Sequence, residues 1–181
     1  NTNPPVQMYT ELKRAYDTTA DRIWLANVGD IKPAENALSL FLDMAWDIDA
    51  FTVENVGFYY ANTLSKYFGE QHRDALQHIF DEYFSLAFAR KPEHMQHHLE
   101  QHFAEDNYHE AERRTARYAA ISAEADAIYA QLDEDSKRVS SNWSTIRAKA
   151  PHCSISRSSK PSATAGTRHR GACRPIRSGN A

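Results

Sequence analysis

The chain has 181 residues, 41% hydrophobic and 25% charged, a balance that excludes an intrinsically disordered polypeptide. No apolar run approaches the roughly 18 residues that a membrane helix needs. The net charge of −3 conceals a split. Residues 1–137 carry all 24 acids and 12 of the 21 basic residues, whereas residues 138–181 carry the other nine basic residues, nine serines, Cys153, Cys173 and no acid. The chain opens Asn1-Thr2-Asn3-Pro4-Pro5, with no Met, basic patch or apolar stretch, so no signal peptide is visible and a piece of a longer protein is expected.

The first predicted element is a helix over Val6–Tyr16, where Met8, Leu12, Ala15 and Tyr16 recur at three- and four-residue spacing. The short apolar run Ile23-Trp24-Leu25-Ala26 follows, ending in Asn27-Val28-Gly29-Asp30, and reads as a buried strand delivering a loop. Pro33 suits the first turn of a helix, because its missing N–H is not needed there. Between Ala34 and Asp47 the apolar residues Leu38, Leu40, Phe41, Leu42, Met44, Ala45 and Trp46 exceed one stripe, which predicts a helix buried on two sides.

Thr52 is an expected N-cap, with Glu54 in the first turn where the helix dipole favours an acid. Val56, Tyr60, Leu64 and Tyr67 form the apolar face of that helix, and Gly69 suits its stop. Another helix is expected from about Glu70 to Arg90, with Leu76, Ile79, Phe80, Tyr83, Phe84 and Ala87 on one face and Pro92 closing it. A long helix starts near Asn107, with Tyr108, Ala111, Thr115, Tyr118, Ser122, Ala125, Tyr129 and Leu132 at near-heptad spacing. A lone strand has no partners for its backbone donors and acceptors, so residues 23–26 are expected to join a parallel sheet whose other strands lie outside this sequence.

The stretch Arg22-Ile23-Trp24-Leu25-Ala26-Asn27-Val28-Gly29-Asp30-Ile31-Lys32-Pro33-Ala34-Glu35 resembles the signature of glycoside hydrolase family 115, the xylan α-1,2-glucuronidases. The likeness continues through Phe41–Asp47, Tyr67–Glu70, Arg90–Glu93 and Asn107–Arg113, covering roughly residues 1–137. The resemblance implies a mostly α chain. Residues 1–47 would be the last βα unit of a (β/α)8 barrel (a TIM barrel), residues 48–137 a helical bundle and residues 138–181 a disordered or frameshifted basic tail. It implies the release of (4-O-methyl)glucuronic acid from glucuronoxylan or its oligosaccharides by inverting hydrolysis. A homo-oligomer formed through the family's other domains and a secreted or periplasmic location are also implied, with no cofactor, membrane or nucleic acid. A barrel takes about 250 residues, so a fragment of this length is expected to be inactive alone.

Working groups in such barrels lie at the C-terminal ends of strands and in the loops that follow. By position these are Asn27, Asp30, Lys32 and Glu35, as substrate-binding residues for a uronic acid. The catalytic acid and base are expected upstream of this sequence. A glycosidase needs two carboxylates flanking the sugar, and a uronate needs a cation or several donors. The bland reading is that Asp30 and Lys32 pair with each other or cap the next helix, and that Glu35 sits in its first turn.

His94, His97, His98, His102 and His109 lie within sixteen residues, two pairs of them four apart as in helical zinc sites. They sit in a polar connection without an HExxH, so no metal site is expected. Phe58, Tyr59, Tyr60, Tyr67 and Phe68 read as core rather than as a carbohydrate platform.

The tail supports two readings. In one, a helical interaction module carries a basic arm that binds nucleic acid or another polyanion. In the other, the reading frame slips near Lys137. Read from the third codon base after Arg138, Ser140 and Ser141 with TCN codons spell two apolar residues. Ser141–Asn142 then spells Lys, Gln, Glu or a stop, Asn142–Trp143 spells Leu, and Trp143 with a TCN Ser144 spells Val. Ile146 with a CGN Arg147 spells Pro, Ser or Thr. The result is similar to the family's next segment, an aromatic pair followed by Gln-Leu-Val, two residues and Pro. On that reading Cys153 and Cys173 carry no information about redox compartment.

Overall fold

The computed structural model of the chain describes residues 2–89, 91 and 108–139. Among them the regular structure is helical throughout: α1 (Pro5–Thr18), α2 (Ile31–Trp46), α3 (Val53–Val56), α4 (Tyr59–Phe68), α5 (Arg73–Ala89), α6 (Glu110–Gln131) and α7 (Glu134–Val139), with 3-10 turns at Ile48–Ala50 and Glu70–His72. The expected barrel unit is therefore corrected, since no strand and no sheet occur among the described residues. Residues 23–28 run without helix, turn or bend between bends at Arg22 and Gly29, and among the described residues no backbone–backbone hydrogen bond ties residues 21–29 to another segment. A strand needs a neighbouring ladder, and an isolated one gains nothing from its own backbone.

The segment is pinned by one side chain. The Trp24 indole packs between Tyr16 of α1 and Phe41 of α2, with ring centroids at 6.4 and 5.6 Å, and its Nε1–H donates to the Ala20 carbonyl. Proline at the first position starts α1, where its missing N–H costs nothing. Tyr9 of α1 is buried, with Met8, Leu12 and Tyr16 packed against the core.

The core is centred on α4, α5 and α6. Leu76, Ile79, Phe80, Tyr83, Phe84, Leu86 and Ala87 of α5 are all buried. Tyr60 of α4 lies 5.3 Å from Phe80 and 5.8 Å from Phe84, in the tilted geometry that aromatic rings favour. Buried positions on α6 run Ala111, Arg114, Tyr118, Ile121, Ala125 and Ile128, ending at Leu132, a strict alternation of three and four residues. Across the α5–α6 seam, Arg117 pairs with Glu82 at 2.7 Å and His78 Nδ1 lies 2.9 Å from Glu124.

Local chemistry sets the helix ends. Thr52 Oγ1 accepts from the Asn55 N–H while Asn55 Oδ1 accepts from the Thr52 N–H, a reciprocal cap that starts α3. That helix stops after one turn at Gly57, so the single helix expected from Thr52 to Phe68 is two. Gly69, at φ 102°, ends α4 in a conformation that favours glycine. Asp133 accepts from the Ser136 N–H at 2.7 Å to start α7, and the Ser136 hydroxyl donates to the Tyr67 carbonyl, fastening α7 to α4.

Burial on two sides of α2 is also corrected. Leu40 and Met44, one turn apart, are fully buried, while Leu42 and Trp46 face outward. The described part of the chain supplies neighbours for one stripe of this helix only.

Candidate functional site

The four residues singled out from the sequence fall on the segment before α2 and on its first turns. Asn27 and Asp30 are exposed, and Asp30 occupies the N-cap position of α2 with extended backbone and no capping bond from its carboxylate. Lys32 Nζ sits 3.1 Å from Glu35 Oε2, an i,i+3 pair on the solvent side of the helix. The bland reading anticipated Asp30 with Lys32; the cation instead reaches along the helix to Glu35, where the spacing brings side chains together. Asp30, Lys32 and Glu35 thus lie within two turns of chain on an open surface.

Another polar group lies behind them. The Tyr59 hydroxyl donates to Asp43 Oδ2 at 2.5 Å, joining α4 to α2. Burial, and then this hydrogen bond, holds the Tyr59 phenol above its ordinary value. Burial does the same for Tyr60, with Tyr59 beside it adding to the effect. The aromatic set divides: Tyr60 and Phe68 belong to the core and Tyr59 is half-buried, but Phe58 and Tyr67 are largely exposed.

Among the described residues no group of three or more His, Cys, Asp or Glu side chains is placed to hold a metal ion. His94, His97, His98 and His102 lie outside the described residues. His109 does lie within them, paired with Glu112 on α6.

What residues 22–46 do present is apolar surface. Ile23 is 84% exposed, Leu25 92%, Ile31 66%, Leu42 55% and Trp46 92%. On α2, Ile31, Leu42 and Trp46 fall within about 60° of one another around the helix axis, and contiguous apolar surface of this kind marks an interaction site. Sequence reasoning placed Ile23, Leu25, Leu42 and Trp46 in the interior. The usable signal was the excess of apolar residues on α2 beyond one stripe, which asks for a second partner without saying where that partner is.

Among the described residues the fold is a helical bundle with one core cluster and an uncovered apolar surface along residues 22–46. The chain belongs to glycosyl hydrolase family 115, whose sequence model matches residues 1–94. No curated protein and no solved structure matches the chain significantly. Membership places the chain in a carbohydrate-related setting. The match covers the stretches Arg22–Glu35, Phe41–Asp47, Tyr67–Glu70 and Arg90–Glu93, but ends before Asn107–Arg113, so the likeness expected to run to residue 137 is corrected to the first 94 residues.

The identification of residues 1–47 as the end of a catalytic barrel is corrected by the same sheet-free bundle that overturns the fold class. Inverting hydrolysis of glucuronoxylan by this chain falls with it. That reaction needs carboxylates held on both faces of a sugar, and the barrel that was to hold them is absent from the described residues.

Proposed function

We propose that this chain works as a helical interaction module within a carbohydrate-processing setting. It docks on protein through the apolar face of residues 22–46 and carries a basic C-terminal segment that holds a polyanion. The observation that carries the docking role is the exposure of Ile23, Leu25, Leu42 and Trp46 beside a core in which Leu40, Met44, Leu76 and Ile79 are fully buried. A bundle that packs its core this completely leaves such a face open only at a cost in solvation, and a partner removes that cost.

The second role rests on charge. Residues 140–181 lie outside the described residues, and the sequence of residues 138–181 has nine basic residues and no acid. Lys and Arg clusters of this kind bind polyanions by charge neutralisation, with an affinity that falls as salt rises. Family membership favours a uronic-acid-bearing xylan over nucleic acid as the polyanion. Asn27, Asp30, Lys32 and Glu35 are offered as a polar margin of the docking face.

The test compares binding of the full chain to glucuronoxylan and to unsubstituted xylan across a salt series, with uronic acid release assayed in parallel. The expected result is binding to the acidic xylan alone, weakening with salt, lost on deletion of residues 138–181 and accompanied by no release. Equal binding to both xylans, or binding indifferent to the deletion, overturns the polyanion role. Release of uronic acid overturns the non-catalytic reading.

A further inference from the structure

The geometry points to a second copy of this chain as the occupant of residues 22–30, through antiparallel pairing of the two segments about a two-fold axis at Ala26. This deepens the docking role proposed above and rests on it.

Residues 23–28 form a run free of turns and bends, and nothing in the described structure uses their backbone N–H and C=O groups in a main-chain hydrogen bond. An edge of this kind is completed most directly by another edge, which supplies donors and acceptors at matching spacing. Trp24 and Val28 are half-buried, Trp24 against Tyr16 and Phe41, while Ile23, Leu25, Ala26 and Asn27 are exposed. Pairing edge to edge leaves Trp24 in place against Tyr16 and Phe41 and brings Ile23 and Leu25 of both copies to one side of a two-stranded ribbon.

The register follows from charge and shape. With Ala26 opposite itself, Arg22 of each copy faces Asp30 of the other, so the two-fold creates two identical ion pairs. Arg22 is free to take that role: its side chain is 90% exposed and its contact with Asp21 is at 3.9 Å. Asp30 is exposed and spends no side-chain bond on capping α2. In the same register Ile23 faces Gly29, where even an added Cβ would meet nothing within 4 Å, so the space opposite the isoleucine is open. Leu25 faces Asn27, with the two leucines diagonal to each other on the same side.

The test is sedimentation equilibrium of the full chain up to tens of micromolar, with Arg22→Asp, Asp30→Arg and an equimolar mixture of the two. Wild type is expected to dimerise. Each variant alone places like charges opposite each other at both ends of the ribbon and is expected to dimerise about tenfold more weakly. The mixture faces each new aspartate with a new arginine and each native aspartate with a native arginine, and is expected to recover association as a heterodimer. That recovery cannot come from misfolded singles. A monomeric wild type overturns the pairing, and so does a dimer that both variants and their mixture leave unchanged.

Binding of a hydrophobic dye to the dilute chain separates this failure from failure of the docking face. Dye bound by wild type and lost in an Ile23→Ser, Leu25→Ser variant leaves the face standing when the dimer fails. Absence of dye binding by a monomeric wild type sinks both.

Discussion

Two regions of this molecule use the same kinds of side chain to opposite effect. In α4, α5 and α6, leucine, isoleucine, tyrosine and phenylalanine close on one another, and Leu76, Ile79 and Ala87 have no exposed surface. Along residues 22–46, isoleucine, leucine and tryptophan alternate between pinned and open: Trp24 is held by two rings and a hydrogen bond, while Leu25 beside it is almost wholly exposed. Composition does not separate the regions. Neighbours do, since an apolar side chain stabilises a fold only where other atoms displace its water. The inner region is built to stand, and the outer one is built to be covered.

The most severe way to break the inner region is to empty it. Leu76→Ala removes a fully buried side chain from the middle of α5, and its expected cost is about 2–5 kcal/mol. A small domain has about 5–15 kcal/mol in all, so the midpoint of urea unfolding should fall steeply. A cost below about 1 kcal/mol would mean that α5 is not the centre of the core.

Thr52→Ala is expected to cost about 1 kcal/mol by deleting one half of the reciprocal cap with Asn55. It also sharpens the comparison, because α3 joins the outer region to the inner one. If the caps are independent of packing, the loss in Thr52→Ala and that in Leu76→Ala should add in the double variant.

Alkali attacks the inner region by another route. Tyr59 and Tyr60 are held above their ordinary 10.0 in the folded chain, mainly by burial. Groups with raised folded values contribute stability that is fully present below the unfolded value and is lost as pH rises through the folded one. Stability should therefore be flat to about pH 9 and decline above about pH 10. The absorbance change of tyrosinate should show these two phenols ionising only as the chain unfolds. Their ionisation before any loss of helix would contradict the burial.

How far the sequence could be read follows the same division. The six apolar positions expected on the face of α5 are all buried, because a long, strongly periodic helix carries its own evidence. On α6 the expected Ala111, Tyr118, Ala125 and Leu132 line the core, but the other half of the seam is Arg114, Ile121 and Ile128, each one residue before the expected Thr115, Ser122 and Tyr129. Arg114 disguised that seam. Its guanidinium lies 5.3 Å from the Tyr118 ring and donates to the Tyr118 hydroxyl, which allows a charged residue into a core position. Ile23-Trp24-Leu25-Ala26 misled for a different reason: hydropathy registers a need for burial, and only the fold says what meets it. Asn27, Asp30, Lys32 and Glu35, expected at the end of a barrel strand and in its loop, fall in the strand-free segment before α2 and in its first turns, and position in sequence carries no information about whether a cleft surrounds them.

The smallest expected effect is the most discriminating. Leu40 and Leu42 lie on the same helix, two residues apart, one with no exposed surface and the other 55% exposed. Leu42→Ala should change unfolding stability by less than about 0.5 kcal/mol, as surface substitutions do, apart from the slight gain in helix propensity that alanine brings. Leu40→Ala removes the same atoms and should cost several times more. The ratio of the two costs measures how much of α2 the chain itself covers. A cost above about 1 kcal/mol for Leu42→Ala, independent of protein concentration, would place that side chain inside the monomer and remove the uncovered face on which docking depends. A cost that appears only at high concentration would show the face being covered by another chain, because a contact made between molecules enters stability through mass action.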